Sequence, residues 1–222
     1  MTGAPERRLP FAFVVDLDAP VLADGDRHHL ERVRRLRPGD ELTVGDGAGR
    51  FRTVRFGPQL EATGEIETAP TPGSPVTIAF ALTKGDKPEL VVQKLVEIGV
   101  HRIVPFVADR TIVRWDEGKS TRNVRRWRAI AREAAAQAHR PHLAEVAEVS
   151  TFADVAALPG AALAHPDGAP PSPDTRTVLV GPEGGWSPAE EAAVADRVRL
   201  GTHVLRAETA ALVAGALLLG PR

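Results

Sequence analysis

The chain has 222 residues, 43% of them apolar and 26% charged, with a formal net charge of −1 and no cysteine. Such a composition describes one or two globular domains with a real core, and it excludes a disulfide framework, a thiolate metal site and a uniformly basic nucleic-acid binder. No apolar run reaches the ~18 residues that cross a bilayer, and "MTGAPERRLPFAFVVDLDAP" meets Asp16 and Asp18 before a leader core develops, so a cytoplasmic protein with no membrane partner is expected.

In chain order, "FAFVVDL" (11–17) reads as a strand and "RHHLERVRRLR" (27–37) as a short helix with Leu30, Val33 and Leu36 on one face. "RPGD" is a turn, and "ELTVGDGAGRFRTVRF" (41–56) reads as a hairpin in which Asp46-Gly47 supplies positive φ. This β-leaning stretch predicts a small barrel carrying one helix. "TAPTPGSP" (68–75), with three prolines and a glycine, is the linker candidate, which puts the domains at 1–70 and 71–222.

Beyond the linker the texture alternates. "VTIAFAL" (76–82), "RIVPFVA" (102–108), "AEVAEVS" (144–150), "GAALAH" (160–165), "TRTVLVG" (175–181) and "THVLR" (202–206) read as strands. Between them lie the helices "DKPELVVQKLVEIG" (86–99), with Asp86 as N-cap candidate, and "STRNVRRWRAIAREAAAQAHR" (120–140). A third, "SPAEEAAVADRV" (187–198), carries a Ser187/Glu190 capping box and Pro188 at its first position; the last, "ETAALVAGALLLG", spans 208–220. Strands interleaved with helices predict a mainly parallel sheet covered on both faces. Residues 210–219 contain no polar side chain, so that helix is expected to be buried all round, in the core or at a subunit interface.

Charge is unevenly spread. From Arg110 to Arg140 there are nine lysines and arginines against three acids, and from Pro141 onward five against ten. Such asymmetry suits either a solvated helix face or a polyanion partner.

"LVGPEGGWSPAEE" (179–191) places Gly181, Gly184 and Gly185 at the carboxyl end of a buried strand, where ligands sit in α/β sheets. It matches neither the phosphate-loop nor the dinucleotide fingerprint, and Glu183 would repel a triphosphate, so an uncharged or cationic ligand fits better. The bland alternative is a turn packed tightly by the protein itself. "LGTHVLRAETA" (200–210) repeats the arrangement, leading from a glycine to Arg206, Glu208 and Thr209 at a helix start. Two such corners one α/β unit apart can line a single pocket.

The stretches "TKGDKPELVVQKLVEIGVHRIVPF", "REAAAQAHRP", "VGPEGGWSPAE" and "LGTHVLRAETA", in this order and spacing, resemble the RsmE family of 16S ribosomal RNA methyltransferases. The resemblance covers the whole chain. It implies methylation of N3 of a uridine in the decoding region, with S-adenosyl-L-methionine as cofactor and 16S rRNA, within the small ribosomal subunit, as partner. The implied fold is a PUA-like β-barrel followed by a SPOUT-type sheet whose trefoil knot lies between about Leu179 and the C-terminus. A homodimer without a metal is implied as well. Two alternatives stand beside it: a SPOUT enzyme for another rRNA or tRNA nucleoside, and a non-catalytic RNA-binding or assembly factor.

On this resemblance Arg206 is the candidate stabiliser of the uridine oxyanion, while Glu183 and Glu208 handle the proton or balance the sulfonium charge, a capping or structural role being the alternative for both. The cofactor pocket would take Leu163, His165, Gly181, Pro182, Glu183, Gly184, Gly185, Leu200, Gly201, Leu205, Arg206, Thr209 and Ala210. Trp186 would stack on a ligand or pack against the following helix. RNA contacts would come from Arg34, Arg35 and Arg37, from Lys84, Lys87 and Lys94, from Arg122, Arg125, Arg126 and Arg128, and from Gln137 and Arg140. His203 stands where the family usually has arginine, and Ala207 where threonine is frequent.

Overall fold

Alternating apolar residues build the first sheet of this computed structural model, which describes residues 9–71, 73 and 75–220. The opening residues 1–8 and, within the linker candidate, Pro72 and Ser74 lie outside the described residues. β1 (Phe11–Phe13) runs parallel to β2 (Glu41–Gly45); β2 pairs antiparallel with β3 (Arg50–Arg55), which also carries β4 (Glu61–Ala62) and β5 (Glu67–Thr68). Leu42, Val44 and Val54 point to one core with Leu30 of α1 (Asp24–Arg32). The Arg52 guanidinium donates to the carbonyls of Leu17 and Gly64, joining segments that no strand pairing connects.

Two expectations are corrected here. The strand predicted over 11–17 stops at Phe13, and Val15 is wholly exposed. The helix ends at Arg32 rather than Arg37, because the chain turns over itself: Leu36 N–H donates to Leu30 O, and Arg35 adopts φ +59°. Val33 is left in solvent, and Arg34, Arg35 and Arg37 occupy an exposed loop. The hairpin turn is as read, with Gly47 at φ +82° and the Asp46 carboxylate accepting from the backbone N–H of Ala48 and Arg50.

The second sheet is parallel throughout, in the order β12 (Arg197–Val198), β10 (Ala161–Ala169), β11 (Thr177–Val180), β6 (Thr77–Ala81), β7 (Arg102–Val107), β8 (Glu145–Val146), with β9 (Ser150–Thr151) also on β7. β6 and β11 are buried along their whole length, as central strands covered by helices require. The helices are α2 (Lys87–Ile98), α3 (Glu117–Gln137), α4 (Phe152–Ala156), α5 (Pro188–Ala193) and α6 (Ala207–Leu219).

The strand expected over 144–150 is two short ones, and α4 follows them directly, capped by a reciprocal Thr151/Asp154 box. Asp86 precedes α2, but its side chain makes no capping bond. No strand forms over 202–206; the strand lies earlier, at β12, and Val204 is 90% exposed. The apolar alternation of "THVLR" lines a cleft wall instead of a sheet.

α6 packs on α2, β6 and β11 through Ala210, Ala211, Ala214, Gly215 and Leu218. Gly215 permits the close approach, since a Cβ there would lie 3.0 Å from Leu95 and 3.1 Å from Val100. Thr209, Ala216 and Leu217 are exposed, so within one chain the helix is buried on one side, not all round. The chain forms two compact units: the described residues up to Thr71 together with Ala135–Leu143, and the remainder. Among the described residues no helix is long and apolar enough to cross a membrane.

Candidate active site

β11 delivers the chain at Val180 into the corner 181–186, and α5 begins two residues later. The Ser187/Glu190 capping box is present as read from the sequence. Glu190 is 3% exposed, and its two carboxylate oxygens accept from Ser187 N–H at 2.8 Å and Asp109 N–H at 2.9 Å. Ser187 Oγ donates to Asp109 at 2.5 Å, and the Arg110 guanidinium donates to Gly184 O at 3.1 Å. The carboxyl end of β7 is thus bolted to the corner. Glu190→Ala strands two backbone donors that were held by a charge, at a cost of about 3 kcal/mol. Thermal unfolding is the measurement, with Glu190→Gln losing less; a change inside ~0.5 kcal/mol would contradict the bolt.

The corner glycines have different reasons. Gly181 faces Trp186, whose ring would stand 2.9 Å from a Cβ at 181. Trp186 itself is buried, stacks on Phe106 at 6.2 Å and 6°, and donates through Nε1 to Ala164 O at 3.1 Å. Its contacts among the described residues are those of packing, and it also borders the cleft on which this corner opens. Gly185 takes φ +70°, which a side chain would strain. Gly184 meets the Arg110 stem at 3.2 Å. Gly201, on the second corner, differs: a Cβ there would meet nothing within 4 Å, and its backbone is not left-handed.

Both corners open on one cleft of about 800 Å³. From the residues expected at a cofactor pocket it is lined by His165, Gly181, Pro182, Glu183, Gly185, Leu200, Gly201, Leu205, Arg206 and Ala210. Leu163, Gly184, Thr209 and Glu208 are outside that lining; Leu163 sits fully buried in the core with Leu179 and Phe106, and Thr209 is exposed. The wall also includes residues that sequence reasoning missed, notably Arg110, Ala164, Glu191 and Arg199. Arg110 was within reach of the rule that ligands gather at the carboxyl ends of parallel strands, applied to "RIVPFVADR". His165 Nδ1 accepts from Asp167 N–H, which leaves its proton on Nε2, 3.9 Å from Glu191 Oε1.

Lys87, nominated for RNA, is engaged elsewhere: its ammonium lies 2.9 Å from Glu183 Oε1 and 3.4 Å from Glu208 Oε2. The hydrogen bond from Lys87 holds the Glu183 carboxyl below the usual carboxylate range, and the same bond raises the Lys87 ammonium above its ordinary value. Lys94 pairs with Glu97, Arg126 with Glu89, and Arg128 with Val146 O and Glu148. Lys84, Arg122 and Arg125 are exposed and, among the described residues, carry no ion pair. Arg206 is exposed at the N-cap of α6. Arg34, Arg35, Arg37, Gln137 and Arg140 belong to the first unit, where burial lowers the Arg140 guanidinium. Among the described residues no cluster of histidines and acids is placed to hold a metal.

A parallel sheet whose cleft lies at its strand ends places the ligand site where α/β proteins bind theirs. The family model described as RNA methyltransferase domain matches residues 70–219, and that of the RNA methyltransferase PUA domain matches 22–57, which sets the class. The chain is 33% identical to the ribosomal RNA small subunit methyltransferase E of Mycobacterium tuberculosis, covering 90% of this chain and 86% of that one. It is 29% identical to the protein of the same name in Bacillus subtilis, covering 84% of each. The crystal structure of the Neisseria gonorrhoeae ribosomal RNA small subunit methyltransferase E bound to S-adenosyl methionine superposes with a TM-score of 0.80, at 26% identity over 94% of this chain and 96% of that one. The chain belongs to the ribosomal RNA small subunit methyltransferase E family.

Proposed function

We propose that this protein transfers the methyl group of S-adenosyl-L-methionine to N3 of a uridine in the decoding region of 16S rRNA, as a cytoplasmic homodimer acting on the small ribosomal subunit. The observation that carries the reading is Gly201. Neither packing nor backbone angle demands a glycine there, yet it lies in the wall of the cleft. A side chain at that position would occupy only ligand space.

The cleft fits the cofactor. Its volume of about 800 Å³ is that of a small-molecule site. Val180, Leu200 and Leu205 supply apolar walls, and the glycines uncover main-chain donors and acceptors. Glu183 and Glu191 stand among Arg110, Arg199 and Arg206, a mixed-charge lining that suits a ligand carrying both a sulfonium and a carboxylate. When bound, the cofactor supplies an electrophilic methyl group on a sulfonium. The residues of this chain do the rest. Uridine N3–H is a weak acid, and its proton must leave before or during attack. Arg206, exposed in the cleft wall, is positioned to meet the negative charge that develops on a uracil oxygen. Glu183, held ionised by Lys87, is a poor proton acceptor and serves to balance charge. Glu208 has its charge matched by the same ammonium.

Arg122 and Arg125, exposed and without an ion pair among the described residues, are the first choices for RNA phosphates, with Lys84, which is exposed and also acts electrostatically on Glu183, beside them. The arginines of the first unit would make a second contact. The homodimer is supported by Leu90 and Leu217, apolar residues exposed on α2 and α6. Threading of the last segment into a trefoil knot belongs to this reading as well. Its support is that β12 lies at the sheet edge whereas α6 returns to β6 and β11 at the middle.

Small subunits from a strain lacking the gene, incubated with protein and cofactor, should gain 3-methyluridine by nucleoside mass spectrometry, at a rate that falls with salt. A different methylated nucleoside would redirect the substrate to another RNA. Absence of any saturable heat with the cofactor would leave an assembly factor. Gly201→Val sharpens the test: stability should stay within ~0.5 kcal/mol because nothing surrounds the new side chain. Calorimetric affinity for the cofactor should nevertheless fall by more than about tenfold, equivalent to ~1.4 kcal/mol.

A further inference from the structure

We propose that Lys87 is a positioning residue that clasps the two cleft-forming corners together, through Glu183 on one and Glu208 beside the other. The inference rests on the methyltransferase reading and assigns Lys87 a role in cofactor binding in place of an RNA contact.

Three elements meet at its ammonium. Lys87 is the first residue of α2, Glu183 lies within the corner after β11, and Glu208 stands in the first turn of α6, directly after the corner 199–206. The distances are 2.9 Å to Glu183 Oε1 and 3.4 Å to Glu208 Oε2. Glu208 Oε2 is buried and accepts no hydrogen bond among the described residues, so the ammonium is what compensates its charge. The first corner is independently anchored by Arg110, Asp109 and Glu190. Among the described residues the second has no comparable side-chain anchor. Arg199 N–H donates to Ala169 O at its start and Ala210 N–H to Arg206 O at its end. Among the described residues no hydrogen bond runs directly between 181–186 and 199–206. Lys87 therefore ties the first corner to the opening turn of α6, the element on which the second corner ends.

Its charge has a second consequence. The ammonium offsets the mutual repulsion of Glu183 and Glu208, and Lys84 adds a second, coulombic attraction on Glu183. Without the ammonium that repulsion would push the corners apart, and a ligand would have to order them on binding.

Calorimetry with S-adenosylmethionine and with S-adenosylhomocysteine, on wild type, Lys87→Met and Lys87→Arg, tests the clasp. The two ligands share every contact except the methyl group and its positive charge. Lys87→Met should weaken both by a similar factor of about ten, the scale of ordering one or two extra side chains on binding. Lys87→Arg should recover most of that loss, since a guanidinium can span the same two carboxylates. Affinity for small ribosomal subunits should be unchanged in both variants. Equal affinities in wild type and Lys87→Met would overturn the clasp alone. Tighter binding confined to S-adenosylmethionine would overturn it in favour of a direct effect on the sulfonium charge, since Lys87→Met removes a cation from beside two carboxylates. Loss confined to subunit binding would overturn it in favour of a phosphate contact. A wild-type protein that binds neither ligand would remove the methyltransferase reading, and the clasp with it.

Discussion

Trp186→Ala is expected to cost about 3–5 kcal/mol, a large fraction of the stability of a domain this size. The ring is 6% exposed, lies flat on Phe106, contacts Phe152 at 5.8 Å between centroids and satisfies the carbonyl of Ala164. Its loss opens a cavity under the first corner, takes a hydrogen bond from that carbonyl and removes the surface against which Gly181 is packed. Denaturation should register the energy, and calorimetry should register lost cofactor affinity even where the variant remains folded. The pairing with Gly181 makes a sharper test. Gly181→Ala alone drives a methyl group to 2.9 Å from the indole Cε2 and 3.1 Å from Cζ2. Phenylalanine at 186 has no counterpart of the indole's outer fused ring with its Cζ2, so Gly181→Ala combined with Trp186→Phe should cost less than the two single changes added, by a coupling of about 1 kcal/mol. Strict additivity would mean that the glycine is kept for the ligand and not for the tryptophan.

This pair marks where sequence reasoning stops. The corner, its capping box and the buried strand before it were legible because each depends on neighbours in the chain: Ser187 with Glu190, Gly185 with its own backbone angle, β11 with its run of β-branched residues. What a given glycine is for depends on atoms far away in sequence. Gly181 answers to an indole and Gly201 to the open space of a cleft, and both are written simply as glycine. The same limit explains Lys87. Its position resembles that of an RNA contact, but its partners arrive from 96 and 121 residues downstream. "THVLR" failed for another reason. Alternation records that one side of a segment is apolar, not whether a sheet or a cleft meets it, and in this chain the sheet partner was already taken by Arg197–Val198. The assignment of 135–143 to the first unit was likewise hidden, since α3 runs on without a break in periodicity.

Arg206→Ala is expected to lower kcat by about 10²–10³, the loss found when one donor to a developing oxyanion is removed. Arg206 is exposed at the mouth of α6 and lines the cleft, and its side chain makes no capping bond. Its removal should therefore leave stability within ~0.5 kcal/mol. KM for the cofactor should move by less than about threefold, because an interaction made chiefly in the transition state appears in kcat and not in ground-state binding. Arg206→Lys keeps the charge but not the planar fork, and it should fall between alanine and wild type. The pH profile supplies the second readout. A cation beside the uracil makes N3–H easier to ionise, so without Arg206 the rate should begin its rise at higher pH. Single-turnover rates on small ribosomal subunits across that range are the measurement. A variant with unchanged kcat, or one whose defect lies entirely in subunit affinity, would move Arg206 from the reacting base to the phosphate backbone, where each lost contact weakens binding and flattens its dependence on salt.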